Sequence, residues 1–151
     1  MIAVLQRVSG ASVSIDGKTV ASCGKGILIL LGVAKGDTEE DCVLLAEKIS
    51  KLRIFQDADG KMNLSVNDVG GSAIVVPNFT LLASYKKGNR PDYFGSASPA
   101  EASPLFDRFA DHLSSLVPGV GRGVFGADMK VKLLNDGPVT ICMDSEVLKK
   151  K

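Results

Sequence analysis

Two short segments of the 151-residue chain carry residue types that suit chemistry on a small substrate. The first is Pro77-Asn78-Phe79-Thr80-Leu81, and the second is Asn135-Asp136-Gly137-Pro138-Val139-Thr140. Each is predicted to lie at a strand boundary, where a rigid backbone can face a cleft. Both also have ordinary structural interpretations, because Asn-Asp-Gly-Pro is a common turn sequence and Thr is common in strands. Residue types alone favour two turns.

The common catalytic and metal-binding patterns are missing from the sequence. It contains no GxSxG, no phosphate-binding glycine loop and no HExxH. A Ser-His-Asp triad would need His112, the single histidine, which lies near the apolar face of a predicted helix and is interpreted as a boundary residue. Cys23, Cys42 and Cys142 are far apart and indicate reduced thiols rather than a ligand pair. We therefore expect neither a metal nor a cofactor.

Composition predicts one globular domain over residues 1–151. Apolar residues make up 45% of the chain, and a chain of this length can bury a core without disulfides or metal. The net charge is only +1, whereas a protein that coats nucleic acid is usually much more basic, so any contact with RNA should be local. The longest apolar run, 27–33, is too short to span a bilayer, and no signal peptide is visible. These features predict a cytoplasmic protein.

The elements that must position the two segments begin with strands. Residues 2–8 and 11–15 are predicted strands, and Asp16-Gly17 suits a tight hairpin turn before a return strand over 18–21. The run 27–33 has no polar face, which indicates a central strand covered on both sides.

Two helices are predicted. Asp37 or Thr38 caps the first, which has an acidic first turn. The second begins at Ser98-Pro99, or alternatively at Ser103-Pro104, because Pro104 should kink a helix that starts earlier. Their apolar faces are Cys42, Leu45, Ile49 and Leu52 in the first helix, and Leu105, Phe109, Leu113 and Leu116 in the second.

The remaining pattern consists of strands and polar segments. Strands are predicted over 52–55, 73–76, 123–125, 129–134 and 139–143. Pro77 ends the strand over 73–76. Residues 84–98 are a polar loop, and the charged tail 146–151 is expected to fray. Many strands and only two helices predict an α/β fold. Its architecture would be two packed β-sheets, barrel-like, with two helices on one outer face, giving three layers of β/β/α.

Six segments in register carry a family resemblance. They are Ala3-Val4-Leu5-Gln6-Arg7-Val8, Leu52-Arg53-Ile54-Phe55, Gly60-Lys61-Met62-Asn63, Lys87-Gly88-Asn89-Arg90-Pro91, Phe125-Gly126-Ala127-Asp128-Met129 and Asn135-Asp136-Gly137-Pro138-Val139-Thr140. In order and spacing they resemble the D-aminoacyl-tRNA deacylases. The resemblance implies a homodimeric hydrolase that cuts the ester bond of D-aminoacyl-tRNA and releases the free D-amino acid and tRNA.

The segment 135–140 resembles the intact second signature of that family. In the family its Gly-Pro bond is cis and reaches into the active site of the partner subunit. The resemblance therefore implies that Gly137-Pro138 is a chirality filter, whose rigid carbonyl meets the substrate's ammonium group and leaves no room for an L side chain. Arg7 would brace this loop. Glycyl-tRNA would also be accepted, because glycine has no side chain to reject.

The first signature departs from the family. Most members read Ser-Gln-Phe-Thr-Leu, where this chain has Pro77 and Asn78 before Phe79 and Thr80. The resemblance implies catalytic roles for Asn78, Phe79 and Thr80, with backbone N–H groups near Phe79 and Thr80 stabilising an oxyanion. A Thr nucleophile needs a base, and the motif offers none, so Thr80 is assigned to positioning.

The resemblance also implies where the rest of the substrate binds. Lys86, Lys87 and Arg90 would contact tRNA phosphates, and Phe125 and Met129 would line the pocket for the terminal adenosine. Pro77 resembles animal deacylases that tolerate some L-amino acids, so a deacylase of broader chirality is one alternative. A non-catalytic tRNA-binding module is the other, although the near-neutral charge speaks against it.

Overall fold

The computed structural model of the chain describes residues 1–150. Within them there are eight strands and three helices: β1 (Ile2–Ile15), β2 (Lys18–Cys23), β3 (Gly26–Gly32), α1 (Glu39–Lys51), β4 (Phe55–Gln56), β5 (Met62–Leu64), β6 (Ser72–Pro77), α2 (Pro99–Leu116), β7 (Val120–Arg122), β8 (Lys130–Asp144) and α3 (Ser145–Lys149). A 3-10 turn, Phe79–Leu82, follows β6 directly.

Six strands form one mixed sheet. Its order is β2-β1-β3-β6-β7, and β8 pairs along the other side of β1. The pairs β3–β6 and β6–β7 are parallel, and the others are antiparallel. The hairpin between β1 and β2 turns at Asp16-Gly17, both with positive φ, as predicted. β4 and β5 form a separate, two-stranded sheet.

The main sheet curves until β2 packs against β6 and β7, which makes it nearly barrel-shaped. Along β3 the side chains alternate: Ile29 and Leu31 face α1 and α2, while Leu28 packs with Val13 inside the barrel. Both faces of β3 are therefore buried, as its continuous apolar run predicted. The predicted α/β class, a barrel-like arrangement of sheets with helices on one outer face, is confirmed, with a second sheet of only two strands.

Both predicted helices form with side-chain caps. Thr38 and Asp41 make a capping box on α1, and Ser98 and Glu101 make one on α2. The later start for α2 is wrong. Pro104 is solvent-exposed, so the one carbonyl acceptor that its missing N–H leaves free can bond water. No helix in residues 1–150 is long and apolar enough to cross a membrane.

The strand bounds differ from prediction where pairing is non-local. The two N-terminal strands join as β1, and the two C-terminal strands join as β8, because bulges in their ladder absorb the irregular residues between them. Residues 123–125 are not a strand; β7 is Val120–Arg122, a short run that pairs with β6. Residues 52–54 are irregular, and the strand begins at Phe55.

Fraying was expected over 146–151, but the structure has α3 over Ser145–Lys149, because α3 covers a buried carboxylate; Lys151 lies outside the described residues. Asp41 accepts a hydrogen bond from the Ser145 hydroxyl at 2.6 Å, and the Lys149 ammonium lies 2.8 Å from its carboxylate. Burial raises the pKa of Asp41, but bonds from Lys149, Ser145 and the Thr38 amide outweigh burial and lower that pKa well below its usual range. This network ties α3 to α1.

We predict that Phe109→Ala lowers the free energy of unfolding by about 3–5 kcal/mol, because Phe109 is fully buried between α2 and the sheet and its loss leaves a cavity. Urea unfolding followed by circular dichroism measures the change. Phe94→Ala is the matched control: that ring is 78% exposed, and its removal should change stability by no more than about 0.5 kcal/mol. Equal losses in both variants would contradict the packing described here.

Candidate active site

An apolar cavity of about 430 Å³ opens at the C-terminal end of β3, where β6 also ends. Leu31 forms its floor, Ala102 and Phe106 of α2 cover it, and Phe125 closes the side. The Phe106 and Phe125 ring centroids are 6.5 Å apart. The cavity is within the size range of small-molecule sites and suits a flat, apolar group.

The segment after β6 forms one wall of this cavity. β6 ends at Pro77, opposite Leu31, and the Asn78 amide donates one more hydrogen bond to the Leu31 carbonyl at 2.8 Å. The 3-10 turn then folds back over Gly32. A Cβ at Gly32 would lie 2.5 Å from Leu82 Cδ2 and 3.1 Å from the Asn78 carbonyl oxygen, so a larger residue there would displace the Leu82 side chain and crowd the wall at Asn78.

The three predicted catalytic residues lie together on this wall. Asn78 and Phe79 line the cavity, and Phe79 meets the Tyr93 ring edge to face, with centroids 5.0 Å apart. The Thr80 hydroxyl donates to Asn78 Oδ1 at 2.5 Å. That acceptor is an amide oxygen, which cannot serve as a base for Thr80. Phe79 and Thr80 open the 3-10 turn, whose first internal hydrogen bond runs from the Leu81 amide to the Asn78 carbonyl, so the N–H groups of Phe79 and Thr80 have no acceptor within the turn and can bond a ligand.

A second cavity of about 320 Å³ lies on the other side of the same wall. It shares Asn78, Phe79 and Gly126 with the first cavity and adds Met129. The Val124 amide donates to the Met129 sulfur at 3.4 Å, which holds this side chain in place. The two residues expected in one adenosine pocket are therefore divided: Phe125 lines the larger cavity and Met129 the smaller.

The predicted phosphate-contacting residues lie on an exposed hairpin beside the larger cavity. Ser84 and Asp92 pair through two backbone hydrogen bonds of 2.8 and 2.9 Å and close a loop over 85–91. Its cations, Lys86, Lys87 and Arg90, are all exposed to solvent. Tyr93, the next residue after this pair, lines the cavity.

Arg7 and the Gly137-Pro138 loop form a second group. Residues 136–139 bulge out of β8 opposite Arg7, since Gln6 pairs with Thr140 and Val8 with Asn135. The segment is thus a bulge within one strand and not the predicted turn between two. Arg7 is 8% exposed; its Nε donates to the Asp136 carbonyl and its Nη1 to the Ile54 carbonyl, both at 2.8 Å.

Asn135 closes this loop from its base. Its side-chain oxygen accepts from the Val139 amide at 2.9 Å, and its amide nitrogen donates to the Val139 carbonyl and the Thr140 hydroxyl. The Gly137–Pro138 peptide bond is cis, and Gly137 has a φ of 149°. A Cβ at Gly137 would lie 2.7 Å from the Val139 nitrogen, so no larger residue fits this loop unchanged.

Within one chain the two groups do not meet. Among the described residues, the loop 136–138 lines neither cavity. Arg7 pairs with Ile27 at the start of β3, whereas the cavity lies at Leu31, four residues or roughly 13 Å further along the strand. The sequence-predicted site residues therefore occupy two places: the cavity wall with its hairpin, and the loop braced by Arg7.

Sequence reasoning missed several residues of the larger cavity. Ala102 and Phe106 could have been found, because with Phe109 and Leu113 they repeat at helical spacing and form the buried face of α2. The predicted face used Leu105 and Leu116, which are only half-buried. Tyr93 carried no comparable signal, since its position depends on the Ser84–Asp92 pair.

The chain is similar to known proteins over nearly its whole length. A family described as D-Tyr-tRNA(Tyr) deacylase matches residues 4–144. The D-aminoacyl-tRNA deacylase of Persephonella marina is 54% identical over 148 residues, covering 98% of this chain and 100% of that protein. The D-aminoacyl-tRNA deacylase of Roseiflexus castenholzii is 52% identical over 149 residues, covering 99% and 95%.

Two solved structures share the fold. The c-Myc DNA unwinding element binding protein superposes with a TM-score of 0.90 at 37% identity and covers 95% of this chain and 98% of its own. A probable eukaryotic D-amino acid tRNA deacylase superposes with a TM-score of 0.78, covering 94% and 97%; its identity is 15%, so this likeness concerns the fold alone.

We predict that Arg7→Lys lowers the free energy of unfolding by about 1.5–3 kcal/mol, because a lysine lacks the planar fork that reaches two backbone carbonyls at once. Urea unfolding measures the loss, and faster amide hydrogen exchange at Val139 should accompany it. Arg53→Lys is the matched control, since Arg53 makes one exposed bond to Asn63. An Arg7→Lys protein as stable as wild type, with unchanged exchange, would show that Arg7 does not brace the loop.

Proposed function

The chain belongs to the D-aminoacyl-tRNA deacylase family of hydrolases, and on that basis we propose how its own residues hold, select and cleave the substrate. The substrate is a D-amino acid esterified to the 3′-terminal ribose of tRNA, and the products are the free D-amino acid and tRNA. The observation that carries this assignment is the apolar cavity whose wall is formed by Asn78 and Phe79, beside a cationic hairpin.

The terminal adenosine occupies the larger cavity. A flat base fits in the cavity against the tilted pair formed by Phe106 and Phe125, and proteins that bind unpaired RNA bases commonly hold them against aromatic rings. With the base there, the ribose and its ester reach the wall at Phe79. The smaller cavity, which Met129 lines, is on the other side of the same wall. The aminoacyl group lies beside it. Lys86, Lys87 and Arg90 contact phosphates outside.

Cleavage proceeds by positioning, without a protein nucleophile. An aminoacyl ester is already activated, so a bound water can attack its carbonyl carbon, with the ribose 2′-OH assisting. The oxyanion that forms accepts hydrogen bonds from the N–H groups of Phe79 and Thr80. The carbon–oxygen bond to the ribose then breaks, and the 3′ oxygen takes up a proton. Asn78 fixes the Thr80 hydroxyl, which orients the turn.

Selection against L-amino acids comes from a second copy of the chain. The Gly137-Pro138 loop lies too far from its own cavity to act there, and it projects from β8, an edge strand whose outer side has no strand partner within residues 1–150. A homodimer places this loop over the cavity of the other subunit. The Gly137 carbonyl receives the substrate's ammonium group, and the space for an L side chain is lost. Glycyl-tRNA passes the same filter.

Hydrolysis of matched D-Tyr-tRNA and L-Tyr-tRNA tests this assignment. We expect free D-tyrosine and intact tRNA from the first and only the spontaneous rate from the second, because the filter leaves no room for the L side chain. Similar rates on both would instead assign a deacylase of broader chirality, as Pro77 suggests by its resemblance to animal deacylases. Binding of tRNA without release of either amino acid would assign a non-catalytic module.

We predict that Thr80→Ala lowers kcat by only about 2- to 12-fold, the cost of one neutral hydrogen bond, because the Thr80 hydroxyl orients the turn and has no base to activate it. Single-turnover hydrolysis of D-Tyr-tRNA measures this. Thr19→Ala, which changes an exposed side chain on β2, is the control and should have the wild-type kcat. Complete loss in a folded Thr80→Ala protein, or an acyl group trapped on Thr80, would establish Thr80 as the nucleophile.

The cross-subunit filter is tested by complementation. We predict that Gly137→Ala displaces the loop, because the added Cβ would lie 2.7 Å from the Val139 nitrogen and 2.9 Å from its Cγ2, and that the variant loses D/L discrimination. Ala102→Trp fills the larger cavity and blocks hydrolysis while leaving the loop intact. Each homodimer is then defective for a different reason.

The two variants are mixed, partly unfolded and refolded together, so that subunits exchange. Random pairing makes half of the dimers mixed, and one of the two sites in each mixed dimer is complete, so D-selective hydrolysis should return to about one quarter of the wild-type rate. Circular dichroism and light scattering of the separate variants provide the folding and dimer controls. If the mixture stays as defective as its components although mixed dimers form, the loop does not act on the other subunit's cavity.

A further inference from the structure

Two large aromatic rings project into solvent beside the larger cavity. Tyr85 is 83% exposed and Phe94 is 78% exposed, although most other large apolar side chains of the chain are buried. In the isolated chain these rings remain in contact with water and contribute no free energy of burial. Covering them with a ligand would bury their apolar area, which favours binding. Neither ring lines the cavity, and the catalytic wall makes no use of them.

Both rings stand on anchored backbone. Tyr85 directly follows Ser84, whose two backbone bonds to Asp92 close the hairpin. Phe94 lies in a turn closed by a bond from the Ser96 amide to the Tyr93 carbonyl, and its own amide donates to the Asp92 carboxylate at 3.3 Å. Tyr93 itself lines the cavity, so the rings flank its rim. Their fixed backbone lowers the entropy cost of holding a ligand.

The charges around these rings favour an anionic occupant. Lys86, Lys87 and Arg90 follow Tyr85 on the same loop, are exposed, and make no ion pair with the described part of the chain. Aromatic rings interleaved with cations are the surface that binds single-stranded nucleic acid, in which bases stack and phosphates meet lysine and arginine. An apolar protein partner would gain nothing from three unpaired cations.

We propose that Tyr85 and Phe94 are positioning residues that stack on the unpaired nucleotides preceding the terminal adenosine of the tRNA. The inference rests on the proposed function, which places that adenosine in the cavity. The strand leaves the cavity past Tyr93, its bases lie against Phe94 and then Tyr85, and its phosphates meet the three cations of the hairpin. By stacking on these nucleotides, the rings fix the position of the unpaired 3′ end and hold the ester at the wall.

Three substrates of increasing length test this: a 3′-D-aminoacyl-adenosine, a D-aminoacyl-CCA trinucleotide and the full D-aminoacyl-tRNA. We expect Tyr85→Ala and Phe94→Ala each to raise KM about tenfold on the two longer substrates, the effect of losing one stacked base, with kcat unchanged. KM on the aminoacyl-adenosine should not change. Tyr85→Phe and Phe94→Tyr should restore KM, because each keeps a ring, and Val20→Ala, an exposed side chain on β2, is the control.

An equal loss on all three substrates would overturn the proposal, because the rings would then act through the cavity itself. Unchanged KM on the trinucleotide and the tRNA would also overturn it and would leave the hairpin to a protein partner. Failure of the proposed function is distinguishable from both: the wild-type chain would then hydrolyse none of the three substrates. If the wild type cleaves the aminoacyl-adenosine and the variants have the wild-type KM on tRNA, only the stacking proposal is refuted.

Discussion

The parallel pairing of β3 with β6 is the interaction on which the site depends. The ladder runs from Gly26 with Ser72 to Leu31 with Pro77, and both strands are buried. The Ser72 and Asn78 amides donate toward β3, whereas the Ala73 amide donates toward β7, so the N–H that Pro77 lacks would face β7. The ladder with β7 therefore ends before Pro77, and Asn78 makes the last bond to β3. The 3-10 turn, the two cavities and the hairpin all follow from this single end point, because the chain must leave the sheet where the pairing stops.

The second constraint is the buried guanidinium of Arg7. It is held by two backbone carbonyls, one from the bulge in β8 and one from Ile54 ahead of the small sheet. A buried cation is tolerated only where its donors are satisfied, so Arg7 fixes the position of both carbonyls at once. Since Arg7 lies on β1, the loop is attached to the strand that pairs with three others, away from the cavity of the same chain.

The chemistry asks little of individual side chains. Thr80 is bonded to an amide oxygen, which cannot act as a base, and His112 lies between the helices beside Glu47 and lines neither cavity. What the fold supplies is apolar surface, backbone N–H groups and local positive charge. The net charge is only +1, so the exposed cations Lys86, Lys87 and Arg90 form a local cluster on one hairpin in a protein that is nearly neutral overall.

Local signals in the sequence determined the capped helices, the Asp16-Gly17 hairpin, the buried strand β3 and the end of β6 at Pro77, because each depends on residues close along the chain. The sequence also contains the two signature segments, and the roles expected of them rest on the family resemblance alone. Only the tertiary structure decided that β8 is one strand, that β7 is Val120–Arg122 and that the tail forms α3, since bulges, strand pairing and the Asp41–Lys149 contact join residues far apart. It also placed Phe106 in the cavity and separated Gly137 from it. Hydrophobic period identifies a buried face, but which cavity that face lines depends on the elements that pack against it.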